Sequence, residues 1–522
     1  MRRYGYILNN ILWNVFHERL KTKDNLLMNA TICRSAKTHE DRIILVLKLW
    51  KKINYKPLQC SISKNASDSE RFREDGNKLY VSDPLTSEKC LEAFKLYGKS
   101  LAYAPLGSKQ QAMAHANRSA VLCRMKKYVE SLKDVERAIA LDYPDALRSK
   151  LMSINETNSI KFNDKISYLR IEWGRHVVAT RDIKPGEVLV AEKPYAKLLS
   201  PENVHTHCHS CLQVCWATIP CNSCVYAMYC SEECKNADWK ASHDIECQLF
   251  AQMLMLEFSK LDLMTVRLTI IAIRQSGGID KLKKLMKERT KGFSKDGVYH
   301  SDEYRSVYSL ATNTEKRDGF NLLRRAFDAS VITYFLSLCS YESLVPKFDE
   351  NTFLFVGALV LRHQEMIPTN GHSTDEELEM STQERGLTMM PFLSLINHAC
   401  DNNILRHSTV GHTVVYSLYP IEKGEQVCTP YLYNARNLTE RQKQLLYQYF
   451  FFCALENCES HYPDAAQFYK RTDTSEIIKA LFNMITVLYA NAPLPCREMN
   501  NAVETLKRYY GLRGDRFDWS QI

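Results

Sequence analysis

The chain has 522 residues, of which 45% are hydrophobic and 25% charged, and it carries a net charge of +9. Those proportions fit a globular protein of about three or four domains and exclude a disordered or collagen-like chain. The longest apolar run, Phe353 to Leu361, is too short to span a bilayer, so no membrane role is expected. The amino terminus, Met1-Arg2-Arg3-Tyr4, leads into Asn9, Asn10 and Asn14 rather than a secretory core. Eighteen cysteines without such a leader point to a reducing compartment, where thiols bind metal or stay free.

Residues 1–60 hold 12 Lys and Arg against 4 Asp and Glu. A basic arm of this kind can bind nucleic acid. Ile43, Ile44, Val46, Leu47 and Trp50, however, read as the apolar stripe of a helix, so a basic helical region of two or three helices is expected, with nucleic acid not its primary partner. A polar break, Ser61 to Ser67, follows as a linker. Residues 69–155 then take a helix-turn-helix pattern. Gly76 stands in a first helix and Ala93, Tyr97, Ser100 and Pro105 in a second; a looser unit runs from Ala116 through Tyr128, Leu132 and Ala138 to Pro144. In residues 165–205 the period shortens. Val177-Val178-Ala179 and Val188-Leu189-Val190 read as strands around a turn at Lys184-Pro185-Gly186-Glu187, after a turn at Gly174-Arg175-His176.

Residues 208–247 carry four ligand pairs: Cys208-x2-Cys211, Cys221-x2-Cys224, Cys230-x3-Cys234 and His243-x3-Cys247. Each spacing lets one turn aim two soft ligands at one ion, and Zn²⁺ takes four in a tetrahedron. Eight ligands therefore fill two closed structural sites. So short a segment cannot bury a useful apolar core, and metal binding must supply most of its folding free energy. Cys215, His205, His207 and His209 fall outside the ladder and read as non-ligands.

Residues 248–344 read as helical, with helices at Met253 to Leu263, Thr265 to Arg274 and Asp328 to Ser340, and a charged surface excursion from Lys281 to Asp318. Residues 345–462 open on a helix at Phe353 to Leu361, and Thr374 onward reads as an acidic loop across 374–384. Ser394-Leu395-Ile396-Asn397-His398-Ala399-Cys400 follows, then a strand pair, a turn at Glu422-Lys423-Gly424-Glu425, Thr429-Pro430-Tyr431, a helix from Thr439, and Tyr449-Phe450-Phe451-Phe452-Cys453. Residues 463–522 form a short helical region, with helices at Ser475 to Tyr489 and Arg497 to Tyr510.

The ligand ladder resembles a MYND zinc finger, whose pairs interleave. That resemblance implies one zinc on Cys208, Cys211, Cys230 and Cys234 and a second on Cys221, Cys224, His243 and Cys247. The turn at Gly174, the Asn397-His398 pair and the Gly424-Glu425-to-Tyr431 run resemble the two ends of a SET domain, and the helices of 69–155 resemble tetratricopeptide (TPR) repeats. The order of motifs is similar to that of the SET and MYND domain family of protein-lysine methyltransferases, in its TPR-bearing branch. It implies a multidomain α+β chain: a β-rich split SET domain, an inserted MYND zinc finger, N-terminal TPR-like helices and a short C-terminal helical region. The halves of the SET domain would lie at about 165–205 and 345–462.

The same resemblance implies S-adenosyl-L-methionine as cofactor and Tyr431 as the catalytic tyrosine. Gly174, Arg175, Asn370, Asn397, His398, Tyr449 and Phe451 would bind the cofactor or flank the lysine channel. A third zinc of the family would use Cys400 and a downstream Cys-x-Cys-x2-Cys. Here Leu455 replaces one thiolate, leaving Cys400, Cys453 and Cys458, with water or His461 to complete the site, or the site empty. His176 for a glycine, Asn402 for a proline and Pro430 before Tyr431 are further departures. The expected function is protein-lysine N-methyltransfer onto a histone or non-histone substrate. The alternative is a catalytically weak adaptor acting as a transcriptional co-regulator. The resemblance also implies residence in nucleus and cytoplasm and a module for proline-rich peptides. Arg73, Asn77, Asn117 and Arg148 match four of five positions of a chaperone-type carboxylate clamp, with Met152 at the fifth; the other reading is packing asparagines and surface residues.

Overall fold

The computed structural model describes residues 10–23, 25–60, 62–141, 176–288, 292–294, 298–339, 345, 348–378, 381–399, 402–408, 411–432, 438–451, 474–491, 499, 502–503 and 505–506. Three helices open it: α1 (Ile11–Lys23), α2 (Leu26–Ser35) and α3 (His39–Ile53). Thr38 and Asp41 form a capping box that starts α3, and Asn54 ends it in the left-handed conformation. The stripe of α3 is buried as its spacing requires, through Ile43, Val46, Leu49, Trp50 and Ile53, while Lys48, Lys51 and Lys52 stay outside. Burial of each such side chain contributes about 1.5–3 kcal/mol. Their partner is the later helical region: Phe327 stacks on Phe16 at 4.4 Å and is edged by Trp13, Trp50 and Tyr55. The basic segment is thus a layer of the main core.

Four helices follow in succession, α4 (Ala66–Tyr80), α5 (Ser87–Tyr103), α6 (Lys109–Arg124) and α7 (Tyr128–Ala140). Asn65, Thr86 and Ser108 cap the first three. Gly76 is required where α4 meets α5, since a Cβ there would lie 2.7 Å from the Tyr97 ring. Asn77 Oδ1 accepts from Tyr97 Oη at 2.8 Å and from Asn117 Nδ2 at 2.7 Å, and Arg73 pairs with Glu70. Asn77 and Asn117 are thus engaged between helices and Arg73 in a pair within α4; Arg148 and Met152 lie outside the described residues, as does the rest of 142–155.

The β-structure is assembled from distant strands. β1 (Val188–Glu192) and β2 (Ala196–Leu199) come from the first segment. The Cys-rich segment adds the short pair β3 (Ile219–Pro220) and β4 (Met228–Tyr229), followed by α8 (Glu232–Asp238) and α9 (Asp244–Met255). Next come α10 (Lys260–Gln275), α11 (Ile279–Lys287), α12 (Tyr304–Tyr308), α13 (Gly319–Leu338) and α14 (Glu350–Asn370). The last part holds β5 (Gly371–Leu378), β6 (Ser381–Met389), β7 (Asn397–His398), β8 (Ile404–Ser408), β9 (Thr413–Ser417), β10 (Cys428–Thr429), α15 (Leu438–Gln444) and α16 (Thr474–Asn491). The sheets run β1-β9-β8 and β2-β6-β5, all antiparallel, with β10 and β7 parallel. Both strands of the first segment therefore pair with strands about two hundred residues later, and the main-chain bonds Val427 N to Val177 O (2.9 Å) and Ala179 N to Glu425 O (2.9 Å) close the same seam.

Three expectations are corrected. The helix expected from Met253 to Leu263 is two: Glu257 takes a φ of 62°, and Ser259 with Asp262 makes a capping box that starts α10 afresh. The apolar content of 253–263 hid this break. The excursion expected from Lys281 to Asp318 keeps charged residues such as Lys281, Lys287 and Lys316 exposed, but it includes α11 and α12 and packs apolar residues into the core. Leu282, Tyr304, Val307 and Leu310 are buried, and Tyr304 donates to His363 Nε2 at 2.8 Å. The acidic loop of 374–384 is the β5–β6 hairpin. Its charges are used, Glu376 bonding His207 Nε2 at 3.1 Å and Glu384 pairing with Lys260.

Among the described residues no helix is long and apolar enough to cross a membrane. Of the expected C-terminal helices, α16 is present, its Phe482 against Gly186; most of 497–510 lies outside the described residues.

Candidate functional site

Two groups of soft ligands come together. The Sγ atoms of Cys208, Cys211, Cys230 and Cys234 lie within 4.8 Å of one another, and so do the ligand atoms of Cys221, Cys224, His243 and Cys247. Within them Cys211 and Cys230 are 3.8 Å apart, Cys221 and Cys247 3.7 Å, and Cys224 Sγ is 3.5 Å from His243 Nε2. A tetrahedron with Zn–S of about 2.3 Å has an edge of about 3.8 Å, so the sulfur spacings fit zinc and are far too long for disulfides. His243 presents Nε2 to the thiols, and its Nδ1 faces Asp238 (4.0 Å) and Glu246 (3.9 Å). Those carboxylates are anchored in turn: Asp238 by His209 (2.8 Å) and the Tyr229 hydroxyl (2.9 Å), Glu246 by Arg267 (2.6 Å). Such outer partners set the orientation of a ligating imidazole. Lys197 lies beside the first thiolate group and Lys64 beside the second, and burial holds both amines below their ordinary range. His209 also lies close enough to His243 and Glu246 to form a third set, while His207 bonds Glu376.

The second centre is a cavity of about 490 Å³ where the seam between the two β-segments meets the helical insert. Asn397, His398, Ser394 and Leu395 form one wall, Tyr431, Tyr449 and Phe451 a second, and Thr369 with Asn370 the end of α14. Gln426 closes the seam side, and Leu310, Ala311 and Asn313 the insert side. No Asp, Glu, Lys or Arg lines it among the described residues. Tyr431, Tyr449, His398 and Phe451 form one cluster, with ring centroids 4.7 Å (431–449), 5.3 Å (398–431) and 5.7 Å (398–451) apart.

The polar atoms around this cavity are held in fixed roles. Tyr431 N donates to His398 Nδ1 at 3.0 Å, which puts the ring proton on Nε2; burial pushes His398 down to about 4, so it is neutral. The Tyr431 hydroxyl donates to Ile396 O at 2.9 Å, and burial raises it well above the usual phenol range. Asn370 donates both amide protons, to Ala311 O and Met366 O at 2.8 Å each, so that this amide can only accept from anything else. Arg406 donates to His372 Nδ1 at 2.7 Å, His372 Nε2–H reaches Ser394 Oγ at 3.1 Å, and that hydroxyl bonds Asn370 O at 3.0 Å. Asn397 Nδ2 reaches Gln426 Oε1 at 3.2 Å.

Glu192 supports the wall from behind. Its carboxylate accepts from Phe392 N (2.9 Å) and Leu393 N (2.8 Å), which open the turn leading to Asn397. Burial pushes its carboxyl up to about 7. The folded chain therefore holds a proton there that the unfolded chain gives up, and stability contributed at low pH is lost as pH rises from about 4.5 towards 7. Glu192→Gln can accept only one of these two main-chain bonds and is expected to start below the parent at low pH. The difference between the two should move in the variant's favour by up to about 3 kcal/mol as pH rises from about 5 to 8, read from paired denaturant titrations.

Of the residues expected at a cofactor site, Asn370, Asn397, His398, Tyr431, Tyr449 and Phe451 share this one cavity. Gly174, Arg175, Cys400, Cys453 and Cys458 lie outside the described residues. Sequence reasoning did not assign Leu310, Ala311, Asn313, Thr369, Ser394, Leu395 and Gln426 to the site. The first three sit in the stretch read as a surface excursion, where charge concealed the buried Leu310.

Residues 174–432, which span this cavity's two β-segments, match the sequence pattern of the SET domain. The chain is 24% identical to the protein-lysine N-methyltransferase SMYD4 of Mus musculus, over 77% of this chain and 68% of that protein. It is 23% identical to SMYD4 of Homo sapiens, over 74% and 66%, and 25% identical to the histone-lysine N-methyltransferase ASHR1 of Arabidopsis thaliana, over 55% and 53%. Residues 174–432 match the SET domain, and the chain as a whole is similar to the SMYD4 proteins. It spans about two thirds of the length of the SMYD4 proteins it matches.

Proposed function

We propose that the chain is a protein-lysine N-methyltransferase that uses S-adenosylmethionine. The observation that carries this reading is the single cavity in which an amide-and-imidazole wall, Asn397 and His398, meets an aromatic wall, Tyr431, Tyr449 and Phe451. Its volume suits a nucleoside-sized ligand. When bound, the cofactor supplies a methyl group on a positively charged sulfur.

Everything else falls to the protein. The attacking lysine must be neutral, and a cavity without an anionic side chain disfavours its ammonium form, lowering that amine's pKa. The chain's part is to present that amine unprotonated to the methyl group the bound cofactor would supply, and to let the product's surplus proton leave to solvent. Charge spreads between two atoms in the transition state, so no counter-ion is needed, only alignment and exclusion of water. Tyr431, its own proton given to Ile396, offers oxygen lone pairs to orient the incoming amine. His398, neutral and fixed by Tyr431 N, keeps the adjoining wall in register.

Around this core, the ligand groups at Cys208–Cys247 act as a MYND-type finger with two structural zinc ions and a docking face for proline-rich segments, and α4–α7 act as TPR-like repeats. The substrate is a protein, in nucleus or cytoplasm, and SMYD4 and ASHR1 are named as protein-lysine and histone-lysine N-methyltransferases. Titration of the zinc-loaded chain with S-adenosylhomocysteine is expected to give saturable one-site binding that Asn397→Ala abolishes. A folded parent chain that binds none would reduce the protein to a scaffold.

A further inference from the structure

The two walls that face each other across the cavity each turn on a residue in the left-handed conformation. On the insert side it is Asn313, at φ 53° and ψ 32°. On the aromatic side it is Phe450, at φ 62° and ψ 33°. Asparagine tolerates that region; a bulky phenylalanine is strained there and stays only when its surroundings hold it. The turn at Phe450 is what lets Tyr449 and Phe451 both line the cavity, while its own ring faces the other way, toward Arg317.

Arg317 touches both turns. Its guanidinium carbon sits 4.9 Å from the centre of the Phe450 ring. Nε and Nη2 donate to Thr312 O, the carbonyl directly before Asn313, at 3.3 and 3.1 Å. Nη2 also donates to Glu365 O in α14 at 2.7 Å, and Nη1 reaches Asn321 Oδ1 at 3.4 Å. The side chain is 4% exposed, and burial lowers it only to about 10, so it remains a cation at neutral pH. Beside it the Glu365 carboxylate bonds Thr314 Oγ1 and, at 3.1 Å, His39 of α3. On the far side of the aromatic segment a second tie, Gln448 Nε2 to Pro368 O at 2.9 Å, leaves the Phe450 end to Arg317.

We infer that Arg317 is a positioning residue that sets the separation of the two cavity walls by fixing the turns at Asn313 and Phe450. This rests on the cofactor reading of the cavity. A flat fork with five N–H donors suits the task, since it can bond Thr312 O and Glu365 O while its cation lies over the Phe450 ring, and a lysine's three donors on one atom span less.

The test uses the full zinc-loaded chain with Arg317→Lys, Phe450→Leu and the double variant. Each single change is expected to weaken S-adenosylhomocysteine binding about tenfold, and the pair no more than either alone, because both break one link. Without ligand, amide exchange across 445–451 is expected to speed up in Arg317→Lys while α10 exchanges as before. Should Arg317→Lys prevent folding, Phe450→Leu carries both readouts. Parental affinity in a folded Arg317→Lys, or losses that multiply in the double variant, would overturn the inference. A parent that binds no cofactor sinks the cofactor reading alone, and the exchange rates then decide: faster exchange at 445–451 supports Arg317 as the anchor, and unchanged exchange overturns it.

Discussion

Stripping metal from the chain with a strong chelator at neutral pH is expected to unfold residues 205–250 and to loosen the helices on either side. The segment holds the two-residue strands β3 and β4 and one helical run, in which a π-helical turn at Trp239–His243 joins α8 to α9, so little sheet structure would survive alone. Structural zinc in such modules contributes about 10–16 kcal/mol of folding free energy, more than a whole domain's usual margin. The loss must spread because the module is bolted on both flanks. Arg118 of α6, fully buried, donates to Asp134 Oδ2 at 2.6 Å and to Thr218 O at 2.7 Å, and Arg137 reaches Ala217 O at 2.7 Å. Trp216 packs on Phe94 at 5.2 Å. On the other flank Arg267 of α10 holds Glu246 at 2.6 Å and Lys197 O at 2.6 Å. When the 215–219 loop departs, Arg118 keeps its ion pair and loses Thr218, leaving buried donors unpaired at about 1–3 kcal/mol each. Tryptophan emission should shift to the red on chelation, amide exchange should rise in 205–250 and in α6–α7, and zinc should restore both. Unchanged exchange in 205–250 on verified metal removal would show that these thiols are structural without an ion.

How far residues reveal such arrangements depends on the range of the interaction. The ligand ladder was legible because spacing within a turn is a local matter, and its interleaved partners do meet. The α3 stripe and the Gly186 and Gly424 turns, at φ 83° and 89°, were legible for the same reason. Asn397, His398 and Tyr431 were legible through their order, which a resemblance can read and a periodicity cannot. What stayed hidden was set by tertiary partners. Tyr304 and Arg317 look like surface residues in a charged stretch until His363 and Phe450 are placed beside them. The 374–384 segment looks like an acidic loop until His207 supplies a hydrogen bond to Glu376 and Lys260 an ion pair to Glu384. Glu192 is one carboxylate in a strand by pattern; only the fold aims the main-chain amides of 392 and 393 at it, across two hundred residues.

The change expected to affect turnover most is Tyr431→Phe, which removes one oxygen and leaves the ring. The rate at saturating cofactor and peptide should fall about 10²–10³-fold, the cost of removing one preorganised polar group from a dry site. Cofactor affinity should move by no more than about threefold, since an interaction made only on the way to the transition state lowers the rate without changing ground-state binding. The structure gives the reason for that split. The phenylalanine ring would keep its place 4.7 Å from Tyr449 and 5.3 Å from His398, and the main-chain bond from residue 431 to His398 Nδ1 does not involve the hydroxyl. Only the bond to Ile396 O and the oxygen's lone pairs are lost. Because burial keeps the phenol protonated far above neutral pH, Tyr431 contributes no titration of its own near neutrality. The rise of rate with pH should therefore follow the substrate amine in parent and variant alike, with the variant's curve lower and of the same shape. Steady-state kinetics across pH, with cofactor titration of both proteins, separates the cases. A variant with parental turnover would remove Tyr431 from the chemistry. A variant that instead loses the cofactor would make the hydroxyl a brace for the Ile396 turn, and the orienting group for the amine would have to be sought elsewhere in the cavity.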